Sequence, residues 1–501
     1  MLFLYFCTKL NDMNLPVEFL RNIEKELGKT ESDRLVSTLT DSDSVTSIRL
    51  NNRKSSCTVV NNIKSAFVPW CEYGHYLDVR PSFTFDPLFH AGLYYVQEAS
   101  SMFLHQVLKQ YVHQPVRMLD LCAAPGGKST LALQDLPDNS LLVANEVDRS
   151  RSYILAENLI KWGNAGILVT NEIPEHFSRY QHFFDVLLTD VPCSGEGMFR
   201  KDIQAVEEWS EKNVEMCTAR QRAILKDAWA CLKPGGLLIY STCTYNIHED
   251  EENVHWIAQE LGAESLPVKI QDEWHITGNL ANLPEHVYHF FPHKTEGEGF
   301  FLAVLRKSED SDTTLCPSEV SSVRLTNRKK SVRKSSMRRK DRTNSASALH
   351  VPDEVKNWLR DDSDFVFHVY EEKIVAIPAA LDDDVRLLKE GLQFLQEGIT
   401  VAVKKGKNWA PAHSLAMSQH LNTSAFPAFD VSLEKAWAYL RGESFPLPSN
   451  VPVGFVLITY CGYPLGFVKN IGNRSNNLYP QNWKIRSSHF PSAEETCSII
   501  S

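Results

Sequence analysis

The 501-residue sequence lacks several features that would place it in a familiar class. Its 11 cysteines include no C-x-x-C pair and no regular spacing, which argues against a zinc site or a disulfide framework and favours a reducing compartment. No apolar run approaches the roughly 20 residues of a membrane span. The apolar start, "MLFLYFCTKL", has no basic n-region and no small-residue cleavage site, so we expect no signal peptide. We therefore expect a cytoplasmic protein, monomeric, with no metal and no membrane anchor.

The apolar pattern divides the chain into units. Residues 13–85 combine a helical opening with short strands, which predicts a small N-terminal α+β domain. Over residues 86–307, short apolar strands alternate with helices, as in a parallel sheet that is covered on both faces. This alternation predicts a doubly wound, Rossmann-like α/β domain, with strands ending near Asp120, Asn145, Thr170, Thr189 and Tyr240.

Beyond residue 307 the composition changes twice. Residues 308–348 are rich in Ser, Thr and charge, and predict a disordered basic linker. The linker contains "RLTNRKKSVRKSSMRRKDR", ten Lys or Arg against one acid, which is either a solvated tether or an arm for nucleic-acid phosphates. Residues 349–425 predict a mixed α/β subdomain. Residues 426–490 predict a β-rich module that either packs on the core or binds RNA. The net charge of −10 does not indicate a polyanionic partner for the whole protein, but such an average can hide local basic patches.

The segment "LDLCAAPGGKST", at 119–130, falls one residue short of a phosphate-binding loop. In the Walker A pattern G-x-x-x-x-G-K-[ST], the letters GKS at 127–129 take the last three places, but Cys122 stands where the first glycine belongs. The acidic Asp120 also ends the predicted strand where an anionic triphosphate would lie. Both departures favour a cationic ligand. S-adenosylmethionine carries a sulfonium and an ammonium, so it suits a loop that contains a carboxylate.

Other residues support a nucleoside ligand at this loop. Gly126 and Gly127 allow a close approach of the backbone, and the following helix offers N–H donors at its first turn. A carboxylate for the ribose hydroxyls is expected some twenty residues later, at the tip of the next strand. "LLVANEVD" supplies Glu146, nineteen residues after Gly127, and the G-x-G-x-x-G of NAD enzymes is absent. The predicted cofactor is S-adenosylmethionine.

Two cysteines follow the ends of two later strands. "LLTDVPCSGEGMFRK" places Asp190 and Cys193 after the fourth strand, and "LLIYSTCTYN" places Cys243 after the fifth. Methylation of an amino nitrogen needs no thiolate, and its usual Asp/Asn-Pro-Pro-aromatic motif is missing. Methylation of pyrimidine carbon 5 does need a nucleophile, which adds to carbon 6 and makes carbon 5 reactive. A nearby carboxylate that holds N3 and the exocyclic amine would select cytosine.

At this point the motifs resemble a known family. "HAGLYYVQEASSM", "DLCAAPGGKST", "DVPCSGEGMFRK" and "STCTYNIHEDEENV" are similar, in this order, to the Sun-type RNA (cytosine-C5)-methyltransferases. The C-terminal extension is similar to that of the bacterial ribosomal RNA members of the RsmF kind, which carry a PUA-like RNA-binding module. The resemblance implies an N-terminal RNA-binding domain, the donor S-adenosylmethionine and an RNA substrate, with ribosomal RNA expected and tRNA as the alternative.

The resemblance also implies roles for individual residues. In the family, the cysteine at Cys243 is the nucleophile and that at Cys193 helps to release the product, with Asp190 beside them. DNA cytosine methyltransferases use the Pro-Cys thiol instead, so the chemistry alone leaves this assignment open. The donor contacts of the family fall on Cys122, Ala123, Ala124, Pro125, Gly126, Gly127, Lys128, Glu146 and Asp190. Many members carry an Asp near the adenine amine, where this sequence has Asn171 with Glu172 beside it.

Three other functions are compatible with parts of the sequence. An N-methyltransferase acting on RNA or protein would use the same donor loop without the cysteines. A P-loop ATPase is opposed by Cys122 and by the absence of a convincing Mg-binding acid. A non-catalytic RNA-binding assembly factor could keep the donor site as structural support, but it would not require the cysteine pair.

Overall fold

The structure is a computed structural model that describes residues 14–54, 63–309 and 350–487. Apart from its first two residues, the predicted linker over 308–348 lies outside the described residues, as does its basic stretch. No helix within the described ranges is long and apolar enough to cross a membrane.

The N-terminal unit contains two long helices and a four-stranded antiparallel sheet in the order β2–β3–β1–β4. Its elements are α1 Val17–Leu27, α2 Lys29–Asp41, β1 Thr46–Leu50, β2 Ile63–Phe67, β3 Gly74–Leu77, α3 Pro87–His90 and β4 Tyr94–Val96. On α1, the buried Phe19 and Ile23 are four residues apart and face the core together. The Phe19 ring meets the rings of Phe199 and Trp209 at 5.2 and 5.7 Å. The helix therefore covers the segment that follows Cys193.

The central domain has the alternating order of strands and helices that the sequence predicts. Its elements are α4 Leu104–Tyr111, β5 Arg117–Asp120, α5 Gly127–Asp135, β6 Leu141–Asn145, α6 Arg149–Trp162, β7 Ile167–Thr170, β8 Phe184–Asp190, α7 Ile203–Glu208, α8 Glu211–Ala228, β9 Leu232–Thr242, α9 Glu251–Glu260, β10 Ala263–Ser265, β11 Tyr288–Phe290 and β12 Phe300–Lys307. Strands β7, β6, β5, β8 and β9 are parallel neighbours, and β12 pairs antiparallel with β9. The predicted doubly wound α/β fold is confirmed.

Both faces of this sheet are buried, which explains its short, continuously apolar strands. Met118 of β5 and Val186 of β8 share one apolar cluster with residues of α4, α5 and α6. Their neighbours in sequence, Leu119 and Leu187, point the other way and share a second cluster with residues of α8 and α9. The strand order turns between β5 and β8, and at such a switch point ligands bind beyond the carboxyl ends of the strands. Asp120 and Asp190 end these two strands.

A buried arginine joins the N-terminal unit to the central domain. Arg49 of β1 is 0% exposed and its Nη2 donates to Thr130 Oγ1 of α5 at 2.6 Å. Its Nε donates to Gln97 Oε1 at 2.8 Å, and its guanidinium lies 4.5 Å from the centre of the Trp162 ring. Burial lowers the pKa of Arg49 to about 10, so the side chain stays charged at neutral pH. This cation fixes the first turns of α5 from behind.

The C-terminal part builds two further four-stranded sheets and extends the central one. Its elements are α10 Asp353–Lys356, β13 Phe365–Val369, β14 Lys373–Pro378, α11 Asp382–Lys389, β15 Phe394–Glu397, β16 Ile399–Lys405, β17 Asn408–Pro411, α12 His413–Met417, β18 Ala428–Asp430, α13 Leu433–Leu440, β19 Gly454–Tyr460, β20 Tyr463–Asn470 and β21 Ser475–Asn477. Strands β13, β14, β16 and β17 form one sheet, and β18 to β21 form the predicted β-rich module. Strand β15 pairs antiparallel with β7, so the 349–425 segment contributes a strand to the central sheet.

The last module packs against the first unit of the chain. Trp437 of α13 donates its indole N–H to the carbonyl of Phe85 at 2.8 Å. Leu88 and Tyr94 share an apolar cluster with Val456 and Leu465 of the module. The two outer units therefore lie side by side against the central domain.

Candidate active site

The loop between β5 and α5 is tied to the ends of two neighbouring strands. Leu121 donates its N–H to the Leu188 carbonyl at 2.9 Å, and Ala123 donates to the Asn145 carbonyl at 2.8 Å. Gly126 has φ +114°, a conformation that side chains with a Cβ rarely adopt, and it caps α5. These contacts hold the backbone of residues 122–127 at the carboxyl edge of the sheet.

Asp120 lies buried beneath this loop with one oxygen unused. Its Oδ2 accepts a hydrogen bond from Ser129 Oγ at 2.6 Å, while its Oδ1 has no hydrogen-bond partner among the described residues. Burial raises the pKa of Asp120 to about 7, although the Ser129 hydroxyl opposes the shift. An unsatisfied buried carboxylate oxygen is costly, and a cationic ligand would satisfy it.

Lys128 and Asp190 form an ion pair at the switch point. Lys128 Nζ lies 2.9 Å from Asp190 Oδ2, and Asp190 Oδ1 accepts from Ser241 Oγ at 2.9 Å. Burial alone would lower the pKa of Lys128, but the Asp190 carboxylate and the nearby Cys243 raise it above its ordinary value. The lysine is therefore a fixed cation between the donor loop and the cysteine-bearing strands.

The ends of β6 and β7 are joined through Asn171. Its amide nitrogen donates to the carbonyls of Glu146 at 2.6 Å and Val147 at 2.9 Å, which leaves its side-chain oxygen as an acceptor. Glu146 is 4% exposed and its Oε1 accepts from the backbone N–H of Asp148 at 2.9 Å. Both side chains lie at the edge where a nucleoside would be held.

Glu172, the neighbour of Asn171, is occupied elsewhere. Its Oε2 lies 2.7 Å from His176 Nδ1, and its Oε1 accepts from the backbone N–H of Gln393 at 3.0 Å. The carboxylate thus faces the segment that leads into β15. Of the two residues that the sequence leaves open at this position, Asn171 is the one with a side-chain acceptor to spare.

The two cysteines meet at the ends of β8 and β9. Cys193 Sγ and Cys243 Sγ are 3.2 Å apart. The contact with Cys243, together with burial, raises the pKa of the Cys193 thiol well above its ordinary value. Cys193 is therefore a neutral thiol beside Cys243.

One cavity of about 350 Å³ collects most of the residues that the sequence singled out. Its lining includes Asp120, Cys122, Ala123, Ala124, Pro125, Gly127, Lys128, Asp190 and Cys243. Four of the predicted site residues lie outside this lining: Gly126, Glu146, Asn171 and Cys193. Gly126 shapes the loop, and Cys193 contacts Cys243. Glu146 and Asn171 lie at the ends of the neighbouring strands. The donor loop and the Cys243 sulfur thus face one space.

The cavity also has walls that the sequence reasoning did not assign. Tyr95, Gln97, Glu98 and Ser101 line one side, and Met198, Lys201, Glu298, Gly299 and Phe300 line another. The first group lies in "HAGLYYVQEASSM", which is noticeable as a family motif but carries no chemistry that spacing alone could predict. The second group comes from a loop after Cys193 and from the start of the antiparallel strand β12 with the two residues before it, whose position depends on the whole sheet.

A larger cavity, of about 910 Å³, lies between α1 and α8 behind the Cys243 loop. Its lining includes Glu26, Glu196 and Asn246, but none of the donor-loop residues and neither Cys193 nor Cys243. It therefore lies outside the space in which a donor and a thiol could meet.

The charges around the smaller cavity suit S-adenosylmethionine. The unpaired Oδ1 of Asp120, one of the lining residues, offers a partner for the ammonium. The first turn of α5 supplies backbone donors at the same edge. Glu146 is available to the ribose hydroxyls at the tip of the adjacent strand.

Comparison with known proteins agrees with this geometry. Three family models match the chain: 16S rRNA methyltransferase RsmB/F over residues 106–306, the N-terminal domain of 16S rRNA methyltransferase RsmF over 15–99, and the methyltransferase RsmF PUA domain over 426–485. The third match gives the β-rich module its fold type.

Curated proteins are similar to this chain over most of its length. The ribosomal RNA small subunit methyltransferase F of Erwinia tasmaniensis is 30% identical over 454 residues, which cover 87% of this chain and 89% of that protein. The protein of the same name from Salmonella agona is 32% identical over 426 residues, covering 83% and 84%. A crystal structure of a methyltransferase homologue from Pyrococcus horikoshii is 27% identical with a TM-score of 0.50, and covers 60% of this chain and 97% of its own. The chain therefore belongs to the RsmB/F family of 16S rRNA methyltransferases, has the domains of its RsmF members and uses S-adenosylmethionine as its methyl donor.

Proposed function

We propose that this protein methylates carbon 5 of a cytosine in small-subunit ribosomal RNA, through a covalent bond between Cys243 and the base. The observation that carries the proposal is the 3.2 Å contact between Cys193 and Cys243 beside the donor cavity. An N-methyltransferase or a binding module has no use for two thiols at this place. Carbon-5 chemistry requires one thiol to attack the base and is assisted by a second group at its release.

Cys243 is the better nucleophile of the two. Its side chain lines the donor cavity, whereas that of Cys193 does not. The contact with Cys243, together with burial, raises the pKa of the Cys193 thiol, which disfavours its thiolate, the form that attacks. We therefore assign attack on carbon 6 to Cys243.

In the proposed reaction, Cys243 forms and later breaks a bond to the base, and Cys193 assists the release. The Cys243 thiolate forms a C–S bond to carbon 6, and the resulting enamine at carbon 5 takes the methyl group. S-adenosylmethionine, when bound, supplies that methyl group on a positively charged sulfur. A base then removes the proton from carbon 5, the C–S bond breaks, and the electron pair returns to Cys243. Cys193, in contact with the leaving sulfur, assists this last step.

Asp190 is assigned to recognition of the cytosine ring. It lies beside Cys243 at the switch point, and a carboxylate has about four acceptor sites, of which Lys128 and Ser241 occupy two. The remaining sites can accept from the exocyclic amine of the cytosine. Uracil offers no amine at that position, which accounts for the choice of base.

The substrate assignment depends on the relatives and on the domain arrangement. The similar proteins are named for small-subunit ribosomal RNA, and the matches to an RsmF N-terminal domain and an RsmF PUA domain support our proposal that both outer units bind RNA. For donor binding we propose the loop over residues 122–128, Asp120, Glu146, Asp190 and Asn171. A tRNA substrate is the alternative that the experiment below distinguishes.

Release of tritium from carbon 5 tests this function directly. The purified chain is incubated with S-adenosylmethionine and with 16S rRNA or tRNA transcripts that contain [5-³H]cytidine. Carbon-5 methylation releases tritium to water in step with methyl transfer, whereas N4 methylation releases none. We expect release from 16S rRNA, loss of release in Cys243→Ala, and retention in the control Cys461→Ser, which changes an exposed thiol in the turn between β19 and β20. Methyl transfer without tritium release would overturn the proposal.

A further inference from the structure

Two buried carboxylates connect the loops that carry the cysteines, each holding the opposite loop. Glu196, three residues after Cys193, accepts the backbone N–H of Tyr245 at 2.8 Å. Glu249, six residues after Cys243, accepts the backbone N–H of Ser194 at 3.0 Å. The amide of Asn246 donates to both carboxylates, at 3.1 Å to Glu196 and 2.9 Å to Glu249. We call Glu196, Asn246 and Glu249 the carboxylate brace.

The remaining partners of the brace are also donors. Trp209 Nε1 donates to Glu196 Oε1 at 2.9 Å, and Gln221 Nε2 donates to Glu249 Oε2 at 2.7 Å. All four carboxylate oxygens therefore receive N–H groups. A protonated carboxyl or an amide in either place would direct a hydrogen at another donor, so the hydrogen bonds favour the carboxylate form of both glutamates. Burial raises the pKa of Glu249, and the hydrogen bonds from Ser194, Asn246 and Gln221 oppose that shift.

Joining two loops through buried carboxylates is unfavourable in free energy. Glu196 and Glu249 are 1% and 0% exposed, and neither forms an ion pair with a described residue. Burial of a charge without a counterion is unfavourable, and a pair of apolar side chains would fill the same space at lower cost. Such an arrangement indicates a geometry that must be held closely. Cys193 directly precedes the held Ser194, and Cys243 lies two residues before the held Tyr245.

We propose that the carboxylate brace is a positioning device that sets the separation of Cys193 and Cys243. None of its three members lines the donor cavity; Glu196 and Asn246 instead line the larger cavity beside α1. Gly197 supports the same register by donating its N–H to the Cys243 carbonyl at 2.9 Å. The consequence for catalysis rests on the proposed roles of the two thiols, whereas the consequence for their separation does not.

Oxidative cross-linking measures that separation without the methylation reaction. Diamide converts two thiols into a disulfide: two S–H bonds break, one S–S bond forms, and the N=N bond of diamide is reduced to a hydrazine. The sulfur atoms must approach from 3.2 Å to about 2.05 Å, the length of a disulfide bond. After the contact with Cys243 and burial, the Glu249 carboxylate also raises the pKa of Cys193, so a change of its charge also alters the reactivity of the thiol. The rate at which the Cys193–Cys243 disulfide forms, followed by peptide mass spectrometry, is therefore divided by the rate at which the same variant without Cys243 reacts with diamide. The ratio reports how well the two side chains are held together.

The variants are Glu196→Gln and Glu249→Gln, compared with Glu252→Gln. The control residue lies next to the brace in sequence, but among the described residues its carboxylate pairs only with the exposed His248, at 2.9 Å. We expect each brace variant to slow disulfide formation and the kcat of methyl transfer by about tenfold, the effect of losing a hydrogen bond to a charged group. The KM for RNA and the affinity for S-adenosylmethionine should stay unchanged, and the control should behave as the wild type in all assays.

Each outcome separates the brace from the cysteine chemistry. Unchanged disulfide formation in both brace variants overturns the positioning role, even if methyl transfer slows. Slower disulfide formation with unchanged methyl transfer supports the brace and overturns the proposed roles of the thiols. If the glutamine variants lose their circular dichroism signal, Asn246→Ser is the decisive variant, because it removes the shared amide and keeps both carboxylates. It too must slow the disulfide.

Discussion

The donor half and the cysteine half of the active site are built in different ways. The donor half uses β5, β6 and β7, which follow one another in the sequence, and its contacts join backbone groups such as the Ala123 N–H and the Asn145 carbonyl. The cysteine half joins two loops some 50 residues apart through buried side chains, with Cys193 and Cys243 at its centre. Donor binding is therefore a property of local backbone, and thiol placement is a property of tertiary packing. Substitutions in the cysteine half should leave donor affinity unchanged, and substitutions in the donor half should leave the contact between the two thiols unchanged.

The largest effect is expected from Cys243→Ala, which removes the nucleophile. Methyl transfer should fall by about 10⁴-fold or more, as in other enzymes that lose a covalent nucleophile. Donor affinity measured by calorimetry should stay within a factor of two, because the thiol acts on the base. Methyl transfer by this variant at a rate close to that of the wild type would remove the covalent mechanism.

The next effect is qualitative and concerns Cys193→Ala. Attack and methyl transfer should proceed, but release should slow because the thiol beside the leaving sulfur is gone. A protein–RNA adduct that survives a denaturing gel should therefore accumulate. The double variant that also lacks Cys243 should form none. An adduct that persists without Cys243, or that requires Cys193, would reverse the two roles.

The same contrast explains what the sequence could predict. The glycine loop, the position of Glu146 and the alternating strands could be identified because each depends on neighbouring residues: a strand, a turn, a helix start and the next strand. The 3.2 Å thiol contact and the crossed contacts of Glu196 and Glu249 could not, because they depend on which strands become neighbours in the sheet. The sequence also did not predict the pairing of β15 with β7. The change of composition over residues 308–348 indicates that the chain after it forms a separate unit, whereas β15 joins the central sheet.

A matched pair of glycine substitutions tests the comparison directly. Gly126 has φ +114° in the donor loop, and Gly195 has φ +77° in the loop after Cys193. Valine is strained by about 1–3 kcal/mol at either position. Gly126→Val should weaken donor binding by about tenfold to a hundredfold, whereas Gly195→Val should lower kcat and leave donor affinity unchanged. Equal losses of donor affinity in both variants would show that the two halves are not independent.

Asp120 makes donor binding depend on pH. Its raised pKa, about 7, means that the unbound fold favours the protonated carboxyl, so its contribution to stability is full below pH 4 and is lost as the pH rises through 7. A cationic donor favours the carboxylate. Affinity should therefore increase between pH 6 and pH 7.5, by at most about tenfold per pH unit for one proton.

The control for this titration is Asp120→Asn, which keeps the shape of the side chain and removes the charge. Its donor affinity should be lower at pH 7.5 and nearly constant over the range. Calorimetry in buffers of different ionisation enthalpy should show proton release on binding only in the wild type. A pH dependence that survives in the variant would assign the titration to another group.

The smallest effect concerns the purine end of the donor. No described residue donates a hydrogen bond to the side-chain oxygen of Asn171, whereas both oxygens of Glu172 are engaged by His176 and Gln393. Asn171→Ala should weaken donor binding by about threefold to tenfold, the loss of one neutral hydrogen bond. Glu172→Ala should change the affinity by less than about twofold, since its contacts run toward β15.

Asn171 also holds the carbonyls of Glu146 and Val147, so its loss could act through the loop and not through the adenine amine. A donor analogue whose purine lacks the 6-amino group separates the two routes. If the amide oxygen accepts from that amine, the analogue should bind the wild type more weakly and should bind Asn171→Ala with no further loss. If Asn171→Ala lowers the affinity for the donor and for the analogue by the same factor, Asn171 supports the Glu146 loop and does not contact the amine. If Glu172→Ala lowers the donor affinity as much as Asn171→Ala does, the contact belongs to the Glu172 carboxylate.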